Sequence, residues 1–312
     1  MFGHRDPATM LVMGPRTRST KSRDGARLAY WTLGEGPPLV CLTGGPWAHV
    51  ELWSVPACRE WYRLLGRKHR LVRYEVRGTG RSDREVVDFS LEAQLGDVEA
   101  VVEALGLARF DVFAAAAGPV AIELAARRPL RVERLALWCA RARTADISSP
   151  RLDAWRALVD QDWTLMTETC AHLALGWSGG EEGRRSTAHL RASVSAETTR
   201  AALAAGRTHD VTGRLPSIDL AVLVLHRRGV TWVPDTVARE LARALPRCRL
   251  VLLEGESTAP WLGDRAGVLE ALETLLLWRY RRSRRRARLE WSAETSAGTA
   301  GPRCRRAHAA RA

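Results

Sequence analysis

The stretch from Arg109 to Pro129, RFDVFAAAAGPVAIELAARRP, has the pattern best suited to present a reactive group. Phe110 to Ala114 is apolar apart from Asp111 and predicts a short buried strand. Gly118-Pro119 breaks the run. Val120 to Arg128 then predicts a helix that packs through Val120, Ile122, Leu124 and Ala125. A strand, a tight turn and a helix in that order can hold a nucleophile on a strained turn at the C-terminal edge of a sheet. Here the five turn positions read Ala114-Ala115-Ala116-Ala117-Gly118, and a methyl group cannot attack a carbonyl. Other chemistry-bearing groups are scattered. Cys170-Ala171-His172 and Cys304 with His308 lack the spacing of metal ligands, so no metal is expected, and no motif calls for a cofactor.

The elements that would position this turn alternate along the chain. Ala26–Leu33, Leu39–Leu42, Arg70–Val76, Phe110–Ala114 and Val132–Ala140 read as strands. Helices are expected within Leu52–Leu65, starting after Pro56, and from Leu91 to Leu105, with Ser90 as N-cap. Between about Ala145 and Leu215 no strand-like run occurs. Arg151–Val159, Trp163–Leu175 and Thr198–Ala205 read as helices, with a break at Ser178-Gly179-Gly180. Strands then resume at Leu220–His226 and Arg249–Leu253, with helices at Asp235–Leu245 and Ala266–Trp278. This alternation predicts an α/β fold whose mostly parallel central sheet is flanked by helices on both faces.

Composition limits the function classes. Hydrophobic residues make up 46% of the 312 residues, enough for a sizeable core. Of the net charge of +13, nine charges lie from Trp278 onward and three before Gly25, so the body between is nearly neutral and carries no nucleic-acid signature. The six cysteines are dispersed without a Cys-x-x-Cys pair and read as reduced thiols, which with the lack of a signal-like apolar run implies a cytoplasmic protein. No stretch is long and apolar enough for a membrane span. The 279–288 Arg cluster could contact nucleic acid or another anionic surface, but its few aromatics, Trp278, Tyr280 and Trp291, favour a solvated tail.

Four segments carry a resemblance that covers about residues 25–277. They are Gly44-Gly45-Pro46, with Thr43 where a His is usual; Arg77-Gly78-Thr79-Gly80-Arg81-Ser82-Asp83; the 109–129 strand and helix; and His226-Arg227-Arg228-Gly229 with Val233-Pro234, followed by Pro260-Trp261-Leu262-Gly263-Asp264. Together they resemble the α/β-hydrolase fold with a helical cap, and within it bacterial hydrolases often fused to cyclase or LuxR-type regulatory domains. The resemblance implies a Ser, acid, His relay. It maps the serine to Ala116, the acid to Val230 and the histidine to Thr258, so all three are substituted. It also maps oxyanion-hole donors to the backbone N–H groups of Gly45 and Ala117, which survive any change of side chain. Ser82 and Asp83 fall in a structural turn of the family. Asp146 and His226 are possible substitutes for the acid and the base.

The expected organisation is a flexible basic arm (1–24), a core in two parts (25–145 and 216–278), a helical cap (146–215) and a disordered Arg-rich tail (279–312). Trp47, His49, Trp177, Trp232 and Trp261, together with Trp53, are candidates to line an apolar pocket between core and cap. The favoured expectation is an inactive homologue that binds a small apolar or carbonyl-containing ligand, or a protein partner, in the old cleft. An active esterase or amidase of the serine-hydrolase type, and a scaffold tethered by its tail, stand as alternatives.

Overall fold

The computed structural model describes residues 14–44, 50–176 and 180–277. Within them the β-forming runs build one eight-stranded sheet. The strands are β1 (Arg18–Lys21), β2 (Arg27–Leu33), β3 (Pro38–Thr43), β4 (Arg70–Tyr74), β5 (Phe110–Ala115), β6 (Val132–Trp138), β7 (Ala221–Arg227) and β8 (Cys248–Leu253). Their order across the sheet is β1-β2-β4-β3-β5-β6-β7-β8. β1–β2 and β2–β4 pair antiparallel, and every later pair is parallel. Parallel neighbours need crossovers, and helices supply them: α1 (Pro56–Gly66), α2 (Leu91–Ala104), α3 (Gly118–Arg127) and α8 (Asp235–Ala244), while α9 (Arg265–Leu277) follows the last strand and packs on the sheet. Both faces of the central strands are therefore covered. That is why β7, AVLVLHR, is buried at every position rather than alternating.

Local signals explain the helix boundaries. The Ser90 hydroxyl accepts from the Ala93 N–H at 3.2 Å and starts α2, which buries Leu95, Val98, Val101 and Val102 against the sheet. Each such fully buried Val or Leu stabilises the fold by about 1.5–3 kcal/mol. Pro119 sits in the first turn of α3, where a missing N–H costs nothing.

Between β6 and β7 lie four helices: α4 (Pro150–Gln161), α5 (Trp163–Leu175), α6 (Gly180–Ser193) and α7 (Ala196–Gly206). Ser149, Asp162 and Ser195 cap α4, α5 and α7 through their side chains. The helix α6 adds to the three helices expected in this insertion, and Ser178 and Gly179 of the expected break lie outside the described residues. The two glycines of α6 fall at the start, where they disrupt little, and its charged run hid the helical period.

The basic arm expected over 1–24 is also corrected in its second half. Arg18–Lys21 pairs with Arg27–Tyr30 as the edge strand of the sheet. Asp24 binds Arg77 at 2.7 Å, and this hydrogen bond holds the Asp24 carboxyl down at about 2. Arg77 itself is 1% exposed and forks onto the buried Asp97 at 2.6 and 2.8 Å. Removing one partner from such a pair costs about 3–5 kcal/mol. The Ser82 hydroxyl donates to the Glu75 carbonyl at 2.6 Å and accepts from the Ala29 N–H at 2.9 Å, so this turn is structural. Residues 1–13 and the 279–312 tail lie outside the described residues.

Candidate functional site

The β5–α3 junction fixes the site. Ala116 sits between them with φ 55°, the left-handed region that an alanine enters at a cost of about 1–2 kcal/mol. Backbone contacts hold it there. The Ala116 N–H donates to the Trp138 carbonyl at the end of β6, at 2.9 Å, and the Gly44 N–H donates to the Ala115 carbonyl at 2.8 Å. Gly44 and Gly118 are needed for close approach: a Cβ on Gly44 would stand 2.1 Å from the Ala116 carbonyl oxygen, and one on Gly118 would stand 2.0 Å from that of Arg141. The strained elbow is intact, and its tip carries a methyl group.

Above the elbow is a cavity of about 270 Å³. Its floor comes from Thr43, Gly44, Phe113, Ala115 and Ala116, and its roof from Leu152, Trp155, Ala171 and Leu203 of the helices between β6 and β7. Thr258, Pro260 and Trp261 close one side. The wall is mostly apolar, as ligand pockets are.

Of the residues mapped to a relay, Ala116 and Thr258 face this cavity. The Thr258 N–H and hydroxyl both donate to the Ala174 carbonyl at the end of α5, at 2.7 and 3.0 Å, and its own carbonyl accepts from Trp138 Nε1 at 2.6 Å. Val230 is 3% exposed and does not contribute to the cavity wall; its N–H donates to the Arg227 carbonyl at 3.3 Å. Trp232 and Trp261 line the cavity. Trp53 does not: it packs edge-on against Trp31, with ring centroids 6.1 Å apart. Gly45, Trp47, His49 and Trp177 lie outside the described residues. Ala117 heads α3, and among the described residues its N–H reaches no protein acceptor.

The substitutes for base and acid are placed elsewhere. His226 is fully buried with Nε2 2.9 Å from the Val233 carbonyl oxygen, and burial lowers its pKa. Asp146 pairs with Arg143 at 2.7 Å. Cys41 and Cys170 reach the cavity, but burial pushes both thiols up to about 12, which leaves no useful thiolate at neutral pH. Among the described residues no group of three or more His, Cys, Asp or Glu could hold a metal ion. No helix described is long and apolar enough to cross a membrane.

Several cavity residues carry no signature in the sequence. Arg73, Arg141 and Arg156 put three guanidinium groups into an otherwise apolar wall. Only Arg73 left a trace, since it interrupts the apolar strand LVRYEV. Arg227 is a further organiser that its sequence context did not mark. It is 1% exposed, and its Nη1 donates to the carbonyls of Ser257 and Ala259 at 2.8 and 3.1 Å, while Nη2 donates to that of Leu262. It thereby holds the loop that carries Thr258 and Trp261.

A strained strand–turn–helix elbow on a sheet with these crossovers, under an all-helical insertion, defines the α/β-hydrolase class. The chain belongs to that family: the α/β-hydrolase fold model matches residues 37–230. The chain is 31% identical over 248 residues to the pimeloyl-acyl-carrier-protein methyl ester esterase of Nitrosomonas europaea, covering 74% of this chain and 92% of that protein. Among solved structures, a hydrolase from Pseudomonas aeruginosa superposes with a TM-score of 0.72 at 23% identity, covering 84% of this chain and 99% of the other. An esterase from Exiguobacterium antarcticum superposes with a TM-score of 0.73 at 19% identity, covering 84% and 100%. At those identities the structural likeness speaks for the fold alone.

Proposed function

We propose that this chain is a ligand-binding member of the α/β-hydrolase family that does not cleave esters by a serine relay. The observation that carries this reading is Ala116 at the tip of the strained elbow, facing a cavity that is still open. An acyl-enzyme needs a nucleophile activated by an adjacent base. Position 116 offers a methyl group, and the Thr258 hydroxyl is already donated to Ala174. The Ala117 N–H at the head of α3, which reaches no acceptor among the described residues, suits a ligand carbonyl or carboxylate oxygen beside Ala116. The test is hydrolysis of p-nitrophenyl butyrate together with labelling by a fluorophosphonate. The reading requires background rates and no label. Turnover abolished by the reagent overturns it.

A second reading, an active esterase or amidase, is favoured by the relative named as a methyl ester esterase. One pair in the structure could serve it. Ser54 Oγ lies 3.2 Å from Nε2 of His189, and His189 reaches the cavity wall. The hydrogen bond is exposed, and among the described residues no ion pair links a carboxylate to His189. Fluorophosphonate labelling that Ser54→Ala abolishes would select this reading over the first. A third reading gives the 279–288 Arg cluster a tethering role, and it predicts salt-dependent binding to an anionic surface that is lost when residues 279–312 are deleted.

A further inference from the structure

The buried arginines differ in one respect that bears on the ligand. Arg77 is neutralised by Asp97 and Asp24. Arg227 gives its terminal nitrogens to backbone carbonyls, and Arg247 lies by Asp219. Arg73, at 3% exposure, makes no hydrogen bond or close ion pair with a carboxylate or carbonyl among the described residues, although the Glu75 charge is near enough to act on it. Its guanidinium carbon lies 4.9 Å from the centroid of the Tyr62 ring, and Arg73 and Tyr62 both line the cavity. The Glu75 carboxylate, two residues along, accepts a hydrogen bond from the Arg81 N–H. A ring face compensates a buried cation only in part, and leaving a charge unpaired in an apolar wall is costly. Burial accordingly lowers the pKa of Arg73 from its ordinary value, but an arginine stays charged.

The other cavity cations are placed differently. Arg156 pairs with Asp153 at 2.9 Å. Arg141 is less buried and its Nε donates to the Thr144 hydroxyl at 3.3 Å. The cavity thus presents a planar, five-donor cation whose donors make no hydrogen bond among the described residues, in a lining that also holds Trp61, Leu152, Trp155 and Trp232.

We propose that the cavity takes a small apolar carboxylate, bound head-first with its carboxylate on the Arg73 guanidinium and its apolar body under the helices between β6 and β7. This rests on the ligand-binding reading above and narrows it to a chemical class. An Arg–carboxylate pair can be bidentate, and the low-dielectric floor strengthens it.

The test compares octanoate with its uncharged analogues octanamide and octan-1-ol. Binding to the full chain is followed by calorimetry and by the fluorescence of the cavity tryptophans. Octanoate should bind about 10- to 100-fold more tightly than either neutral compound, the range expected of a charge-assisted hydrogen bond. Arg73→Met, of similar length and apolar, should remove that preference while leaving octan-1-ol binding within about threefold. Should Arg73→Met misfold, Arg73→Lys keeps the charge without the fork and should lose several-fold for octanoate alone. Equal affinity for charged and neutral compounds overturns the carboxylate assignment and leaves the ligand-binding reading standing. A preference that survives Arg73→Met but is lost in Arg141→Gln overturns the role of Arg73. No binding by any of the three compounds overturns both.

Discussion

Replacing Ala116 by glycine isolates the strain stored at the elbow. An alanine at φ 55° carries a penalty of about 1–2 kcal/mol that glycine does not. Glycine has a more disordered unfolded chain, which returns about 0.4–1 kcal/mol of that gain. The methyl group at 116 is half-buried and faces the cavity, so its loss opens little new space. The sum is a net stabilisation of about 0.8 kcal/mol, with bounds near zero and about 1.6. For a chain of this size that raises Tm by about 1–3 °C. Urea unfolding measures the difference directly, because the midpoint should rise while the slope stays constant. A loss of more than about 1 kcal/mol would refute the reasoning, since it would mean that the methyl group is packed or that the backbone at 116 is unstrained.

Further outcomes follow from the same geometry. Gly118→Ala should destabilise by more than about 2 kcal/mol, because the new Cβ meets a backbone carbonyl at 2.0 Å; thermal melts read this. Ala116→Ser alone should leave p-nitrophenyl butyrate hydrolysis at background, and only the combination with Thr258→His and Val230→Asp should raise it, if any of these variants does. Burial raises the Asp111 carboxyl to about 6, against the opposing pull of Arg134. A raised carboxyl binds its proton more tightly in the folded state, so the stability it contributes is present below about 4 and is lost as pH rises through 6. Asp111→Asn should therefore flatten the Tm–pH curve between pH 4 and 7, and an unchanged slope would contradict burial as the cause of the shift.

The central strands and their helices were legible because burial on both faces writes itself into the chain as apolar runs, as in FDVFAA and AVLVLHR. The elbow was legible for a different reason: an apolar run ending at Gly118-Pro119 has few other structural solutions. β1 was not legible. RSTK has no apolar residue, and an edge strand that pairs on one side and stays exposed gives no periodic signal. Arg73 and Arg227 were missed because an arginine is assigned to the surface by default. What buries Arg227 is a set of carbonyls some thirty residues further on, and only the folded chain brings them together. Trp53 was assigned to the pocket by its position beside the glycine loop, but its partner Trp31 lies on β2, a pairing no local pattern announces.

None of the contacts that shape the elbow uses a side chain at the positions mapped to a relay. Ala116 is held by its own N–H and by the close approach of Gly44, both backbone matters. The end of β6 is tied to β7 by the Cys139 N–H on the Leu225 carbonyl, at 2.9 Å. The loop bearing Thr258 hangs from Arg227 and from Trp138 Nε1, which accounts for its position whatever residue occupies 258. The side chains at 116, 230 and 258 can therefore vary without removing a backbone support of the elbow. This is the physical form of the rule that function resides in sites placed on folds. Family membership and superposition follow from the supports, which are present. Under the reading proposed above, turnover by a serine relay would need side chains that Ala116, Val230 and Thr258 do not carry. The ligand-binding reading draws on what the described residues place there: a mostly apolar cavity and an Arg73 guanidinium with no hydrogen-bonded partner among them.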